Sequence, residues 1–156
     1  MIADLESRGL GTRVLIAEDH VDSATGIGRL LRLHGYEVTI VTDGRDAVRA
    51  ATRFAPHAAL IDLTLPGLDG FEIARQLRGL GATRDCRLIA MTGWTADEYV
   101  DRARAAGFDE HLVKPISLDA LLQALATVPA TPSPWPREQR PSRADRIEVQ
   151  RTVRFR

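Results

Sequence analysis

The 156-residue chain has one cysteine, no net formal charge and no apolar run long enough to span a bilayer. A single thiol, Cys86, cannot close an internal disulfide, and at the start of a strand it reads as packing rather than chemistry. Lys plus Arg equals Asp plus Glu, 21 of each, so charge gives no reason to expect nucleic acid or a membrane surface as an obligatory partner. Met1 to Arg13 alternates charged and small residues without the apolar centre of a signal peptide, and a cytoplasmic protein is expected. The neutral total is unevenly spread. After Val128, seven arginines (Arg137, Arg140, Arg143, Arg146, Arg151, Arg154, Arg156) face three acids (Glu138, Asp145, Glu148). Taking these from the 21 of each sign leaves 14 bases and 18 acids before Pro129, an acidic body with a basic tail. This length suits one domain with a proper core and is too short for two.

Apolar runs that end in polar residues recur along the body. Arg13 to Ala17 reads as a strand ending in Glu18 and Asp19, and Ala58 to Ile61 as a buried strand ended by Asp62. Leu63 to Gly67 then breaks regular structure, because Pro66 lacks a donor and Gly67 tolerates turns. Tyr36 to Val41 alternates and suits a strand nearer an edge. Cys86 to Met91 is a fourth strand, ending in Thr92-Gly93, and His111 to Val113 a short fifth, ending in Lys114-Pro115. Helical spacing appears between them. Ile27, Leu30, Leu31 and His34 mark a helix from Ala24, after N-cap candidates in His20 to Ser23 and before a C′ glycine, Gly35. Ala47, Val48, Ala51 and Phe54 mark a second, after a turn at Asp43-Gly44 and ending before Pro56. Others are expected over Leu68 to Leu80, Ala96 to Ala106, and from Ser117 or Asp119 with Leu118, Leu121, Leu122 and Leu125 buried. Gly26 and Gly28 do not follow a strand directly and lack the third glycine of a dinucleotide fingerprint, so no cofactor role is assigned to them. Strict alternation of strands and helices implies a doubly wound α/β fold, a five-stranded parallel sheet with five helices on its faces.

A parallel sheet delivers the carboxyl ends of its strands to one edge, where such folds bind ligands. Glu18, Asp19, Asp62, Thr92 and Lys114 therefore converge. Three crowded carboxylates resist being charged together, and Mg²⁺, a hard cation that takes oxygen ligands, resolves that conflict. A carboxylate can attack phosphorus to give an acyl phosphate, and electrophilic partners must then stabilise the phosphoryl oxygens. The ion, the Lys114 ammonium and the Thr92 hydroxyl are suited to that task, with Asp62 as the acceptor.

The segments VLIAEDH, LIDLTLPGLDG, LIAMTGW and HLVKP resemble the response regulator receiver domain of two-component signalling, over about Arg13 to Val128. The resemblance implies strand order 2-1-3-4-5, Asp62 as phosphoacceptor, and Glu18 and Asp19 as the acidic pair with Asp19 a direct metal ligand. It also implies the Thr64 carbonyl in the metal set, Thr92 moving toward the phosphoryl group, Lys114 pairing with it, and a cis Lys114-Pro115 bond. The family commonly has Tyr or Phe three residues before the lysine as a rotamer switch; here His111 stands there, which adds a titratable ring. The resemblance also implies that Trp94, two residues after Thr92, and Thr64, two after Asp62, occupy positions that in this family flank the water path to the acyl phosphate.

The expected organisation is a flexible segment over residues 1–12, the receiver over 13–128 and a Pro/Arg-rich tail over 129–156. Within the tail, residues 147–155 alternate well enough for a short strand, against a plain disordered tail. The tail is too short for a core, so no DNA-binding domain is expected. Implied partners are a histidine kinase or histidine phosphotransfer protein and an output protein of unknown kind, with the chain a monomer or weak homodimer. It is expected to be no enzyme beyond promoting transfer onto its own Asp62 and slow hydrolysis. One rival, a haloacid dehalogenase-like phosphatase, needs an acid two residues after the nucleophile, where this chain has Thr64. The other, a receiver-like binding module without phosphorylation, gains no support from a complete acid, hydroxyl and lysine set.

Overall fold

The computed structural model describes residues 11–93, 97–126 and 128. Five parallel strands, β1 (Arg13–Ala17), β2 (Glu37–Val41), β3 (Ala58–Asp62), β4 (Arg87–Thr92) and β5 (Glu110–Val113), lie in the order β2-β1-β3-β4-β5. Five helices alternate with them: α1 (Val21–Leu33), α2 (Gly44–Phe54), α3 (Gly70–Gly79), α4 (Asp97–Ala106) and α5 (Leu118–Ala126). This is the doubly wound arrangement expected from the alternation, and β2 is an edge strand as its mixed pattern suggested.

Alternation along the strands builds two cores. Leu15, Ala17, Ala59, Ile61, Leu88 and Ala90 pack with α2, α3 and α4, while Val14, Ile16, Ala58, Leu60, Ile89 and Met91 pack with α1 and α5. With both faces covered, the strands of the sheet's centre are apolar throughout, which is why they appear in the sequence as continuous runs. No helix of the described residues is long and apolar enough to cross a membrane.

Helix starts depart from the pattern-based reading for a common reason. The α1 helix begins at Val21, not Ala24, because the His20 ring accepts the Ser23 N–H at Nδ1 (3.2 Å) and caps it. Asp43 is likewise a cap, accepting the Arg45 N–H, so α2 opens at Gly44 without a separate turn. Asp69 accepts the Glu72 N–H and delays α3 from Leu68 to Gly70. Capping side chains, not apolar periodicity, set these boundaries. The expected inner face of α1 is also corrected. Leu30 is 39% exposed and Gly28 is buried instead, against Val38 and Ile40. The start of α4 at Ala96 and the tail strand at 147–155 lie outside the described residues.

Arginines secure the ends of the sheet away from the candidate site. The Arg13 side chain, buried at the start of β1, donates to the carbonyls of Phe54 and Ala55 at the end of α2, where the helix dipole favours a cation. Arg78 donates to the carbonyls of Arg84, Cys86 and Gly107 and pairs with Asp109 (2.7 Å).

Cys86 is buried, and burial pushes its thiol up to about 12 from a free thiol's 9.0. A group held above its unfolded value stabilises the fold fully below that value, so this contribution fades as pH rises from about 9 toward 12. Native protein is expected to resist iodoacetamide at pH 8 and to react promptly in guanidinium. Equal labelling rates in the two conditions would show that the thiol is accessible.

Candidate functional site

The same alternation that divides the cores carries past the strand ends. Glu18 continues the face of Val14 and Ile16, Asp62 that of Ala58 and Leu60, and Lys114 that of Leu112. Their side chains meet. Lys114, the chain's only lysine among 21 basic residues, donates from Nζ to Asp62 Oδ2 at 2.6 Å and to Glu18 Oε2 at 2.7 Å. The second oxygen of each carboxylate is held by the backbone N–H two residues on. His20 donates to Glu18 Oε1 at 3.1 Å, and Thr64 to Asp62 Oδ1 at 2.8 Å. The Thr64 hydroxyl also donates to Oδ1, at 2.9 Å. The Lys114-Pro115 bond is cis.

Glu18 and Asp62 are almost wholly buried, at 1% and 3% exposure, whereas Asp19 is exposed. The three present carboxylate oxygens within 4.8 Å of one another. Burial, partly offset by Lys114, raises the Glu18 carboxyl above its ordinary range. For Asp62 burial acts the same way, but the Lys114 ammonium and the two Thr64 donors outweigh it and hold the carboxyl low. Burial lowers Lys114, yet its bonds to Asp62 and Glu18 prevail and the ammonium is held above its usual value. Lys114 thus serves two of the three carboxylates, Glu18 and Asp62. That imbalance, together with an all-oxygen donor set open to solvent at Asp19, fits a hard divalent cation.

Register puts Thr92 and His111 on the face of Ala90, across the sheet from the face that carries Met91 and Asp62. Asp62 lies beside Met91, Thr92 beside Val113, and Ala90 beside His111. Paired residues share a face, so Thr92 and His111 sit two positions apart on one side of the sheet. Thr92 is buried, its carbonyl accepting the Lys114 N–H at 2.8 Å, and His111 is half-buried. Trp94 lies outside the described residues.

The loop between β3 and α3 owes its shape to close backbone approaches. A Cβ on Gly44 would stand 1.8 Å from the Leu68 carbonyl oxygen, and one on Gly70 2.5 Å from that of Asp62. Gly67, at φ +82°, faces Asp43 and Arg45. The turn before α2 therefore abuts the loop that follows Asp62. Two contributions escaped sequence reasoning: the Thr64 side chain, and the N–H of His20. Both lie two residues after a strand-end acid, where a carboxylate commonly bonds the backbone N–H, and that spacing was the available signal.

A family model described as the response regulator receiver domain matches residues 14–126. The virulence sensor protein BvgS of Bordetella bronchiseptica is 34% identical over 134 residues, covering 78% of this chain and 11% of the relative. The transcriptional regulatory protein PrrA of Mycobacterium tuberculosis is 34% identical over 110 residues, covering 70% and 46%. The chain thus spans less than half the length of these relatives. Among solved structures, the receiver domain of sensor histidine kinase PA1611 from Pseudomonas aeruginosa, with magnesium coordinated in its active-site cleft, superposes with TM-score 0.70 at 35% identity, covering 76% of this chain and 97% of that one. The receiver domain of Ssk1 from Saccharomyces cerevisiae, solved in complex with the histidine phosphotransfer protein Ypd1, is also similar. There the TM-score is 0.67 at 30% identity, covering 73% and 86%.

Proposed function

Because the chain belongs to the response regulator receiver domain family, we propose that it accepts a phosphoryl group on Asp62 from a phosphohistidine and signals, or relays the group, through protein contact. The observation that carries this reading is the Lys114 ammonium at 2.6 Å from Asp62 and 2.7 Å from Glu18, a cation seated where phosphoryl charge would arrive. Asp62 is the nucleophile, kept ionised by Lys114 and Thr64 and fixed in orientation by bonds to both its oxygens. Lys114 exchanges a carboxylate partner for a phosphoryl oxygen as the new bond forms, and Thr92 supplies a hydroxyl to another. His111, on the same sheet face as Thr92, is the residue that would report the rearrangement to the surface of β5.

Magnesium is the cofactor of this reading. Asp19, Glu18, Asp62 and the Thr64 carbonyl would hold it, and when bound it would offset the carboxylates and draw charge from the phosphoryl oxygens. The phosphoryl donor is a histidine kinase or histidine phosphotransfer protein, consistent with the complex in which one structural relative was solved. Residues 13–128 form the receiver and 129–156 a basic appendage, in a protein that works in the cytoplasm.

Incubation with Mg²⁺ and acetyl phosphate, read by intact mass, tests the core of the reading. Wild type is expected to gain one phosphoryl group and Asp62→Asn none. Continuous release of phosphate without a labelled protein would point to a phosphatase, and an unlabelled wild type to a binding module.

A further inference from the structure

The sheet has two outer edges, and they are finished differently. At β2 the Arg32 side chain donates to the Val38 carbonyl at 3.1 Å, so a guanidinium stands where a further strand would pair. At β5 no strand among the described residues lies on the outer side. Asp109, just before β5, donates its N–H to the Leu88 carbonyl of β4 at 2.8 Å. Backbone groups alternate in direction along a strand, so Glu110 and Leu112 aim theirs away from the sheet. Beside them Val113 is 39% exposed. We propose that residues 147–155 of this same chain add to that edge as a further strand, antiparallel to β5, and close it in cis.

Pattern, reach and charge favour this occupant. Ile147, Val149, Val153 and Phe155 recur at period two, with Arg151 the exception, so one face of the segment is apolar and suits the Val113 side of β5. The chain leaves α5 close by: Arg87, at the start of β4, donates to the Ala124 carbonyl at 3.1 Å and pairs with Glu110 of β5 at 2.7 Å. Residues 129–146, extended, reach about 60 Å, against about 13 Å for the length of β5. Orientation follows from handedness. The α3 and α4 helices pack on one face and α5 on the other, so a parallel strand beyond β5 reached through α5 would need a left-handed crossover. An antiparallel edge strand on a parallel sheet avoids it. That orientation brings Arg143 and Arg146, just before the segment, to the site end of β5. There α4 opens with Asp97, Glu98 and Asp101 and α5 with Asp119, all exposed. Opposite charges thus meet at the end where pairing begins.

Hydrogen exchange read by mass spectrometry on the 156-residue chain tests the proposal. The comparison is a variant carrying Val149→Pro and Gln150→Pro, which removes a ladder donor whichever of the two residues faces β5. Amides of the peptide spanning residues 109–114 are expected to exchange about tenfold faster or more in that variant, with the urea midpoint of the domain unchanged. Arg143→Glu with Arg146→Glu is expected to speed the same amides by less, and high salt to act on wild type in the same direction. Equal exchange over 109–114 in wild type and the proline variant would overturn the proposal. So would a gain in exchange confined to residues 37–41, which would place the segment on β2. Protection that fades on dilution, alongside a dimer in sedimentation, would assign the strand to a second copy and overturn closure in cis.

Discussion

Lys114→Ala is expected to slow phosphorylation of Asp62 by acetyl phosphate about 100-fold or more, the scale on which removing one preorganised donor to a developing charge acts. The ammonium does two things at once. It neutralises a pair of buried carboxylates, and it provides the positive charge toward which a phosphoryl oxygen can move. Deleting it leaves Glu18 and Asp62 facing each other at 1% and 3% exposure without that cation. Burial already raises the Glu18 carboxyl, and without Lys114 it rises further. A carboxyl raised above its unfolded value stabilises the fold at low pH and loses that contribution as pH climbs through the folded value. The variant is therefore expected to be least stable relative to wild type near neutrality and above, and to recover toward pH 4. Lys114→Arg is not a conservative control, because a planar fork differs from a point charge in a pocket shaped for an ammonium. Initial rates by intact mass and urea melts at two pH values check both parts. A rate within threefold of wild type would remove Lys114 from the reaction.

Gly44→Ala is expected to destabilise the domain by about 3 kcal/mol or more, as a severe backbone clash in a packed region does. The added Cβ would stand 1.8 Å from the Leu68 carbonyl oxygen and 2.9 Å from the Leu68 nitrogen, and backbone cannot yield as a flexible side chain can. Gly44 also donates its N–H to the Pro66 carbonyl at 3.0 Å, so the strain falls on the segment just beyond Asp62 and Thr64. A drop in magnesium affinity should accompany the loss of stability. Gly26→Ala provides the contrast. Nothing lies within 4 Å of a Cβ built there, on the open surface of α1, and Ala in a helix interior is favoured over Gly by about 0.5–1 kcal/mol. Denaturant midpoints moving in opposite directions for the two variants would confirm that tertiary approach, not helix propensity, requires glycine at position 44.

The architecture was legible because its cause is local. A strand buried on both faces must be apolar throughout, so Val14 to Ala17 and Ala58 to Ile61 stand out as runs whose first polar residues mark the rim of the sheet. A chain alternating such runs with helical periodicity has few topologies available, all with the strand ends on one edge. Asp62, Glu18, Asp19 and Lys114 could thus be grouped from sequence although 96 residues separate Glu18 from Lys114.

What the tertiary structure decided depends on angles and distances that periodicity does not encode. Helix starts moved because His20, Asp43 and Asp69 turned inward to cap them. Leu30 and Gly28 exchanged expected places because the helix packs on β2 through a residue small enough to let Ile40 approach. Within the site, sequence could name three acids but not apportion their partners. Only the fold placed Lys114 between Glu18 and Asp62 and brought a second Thr64 donor onto Asp62 alone of the two, because hydrogen-bond geometry is fixed by how strands twist and loops close, not by residue order.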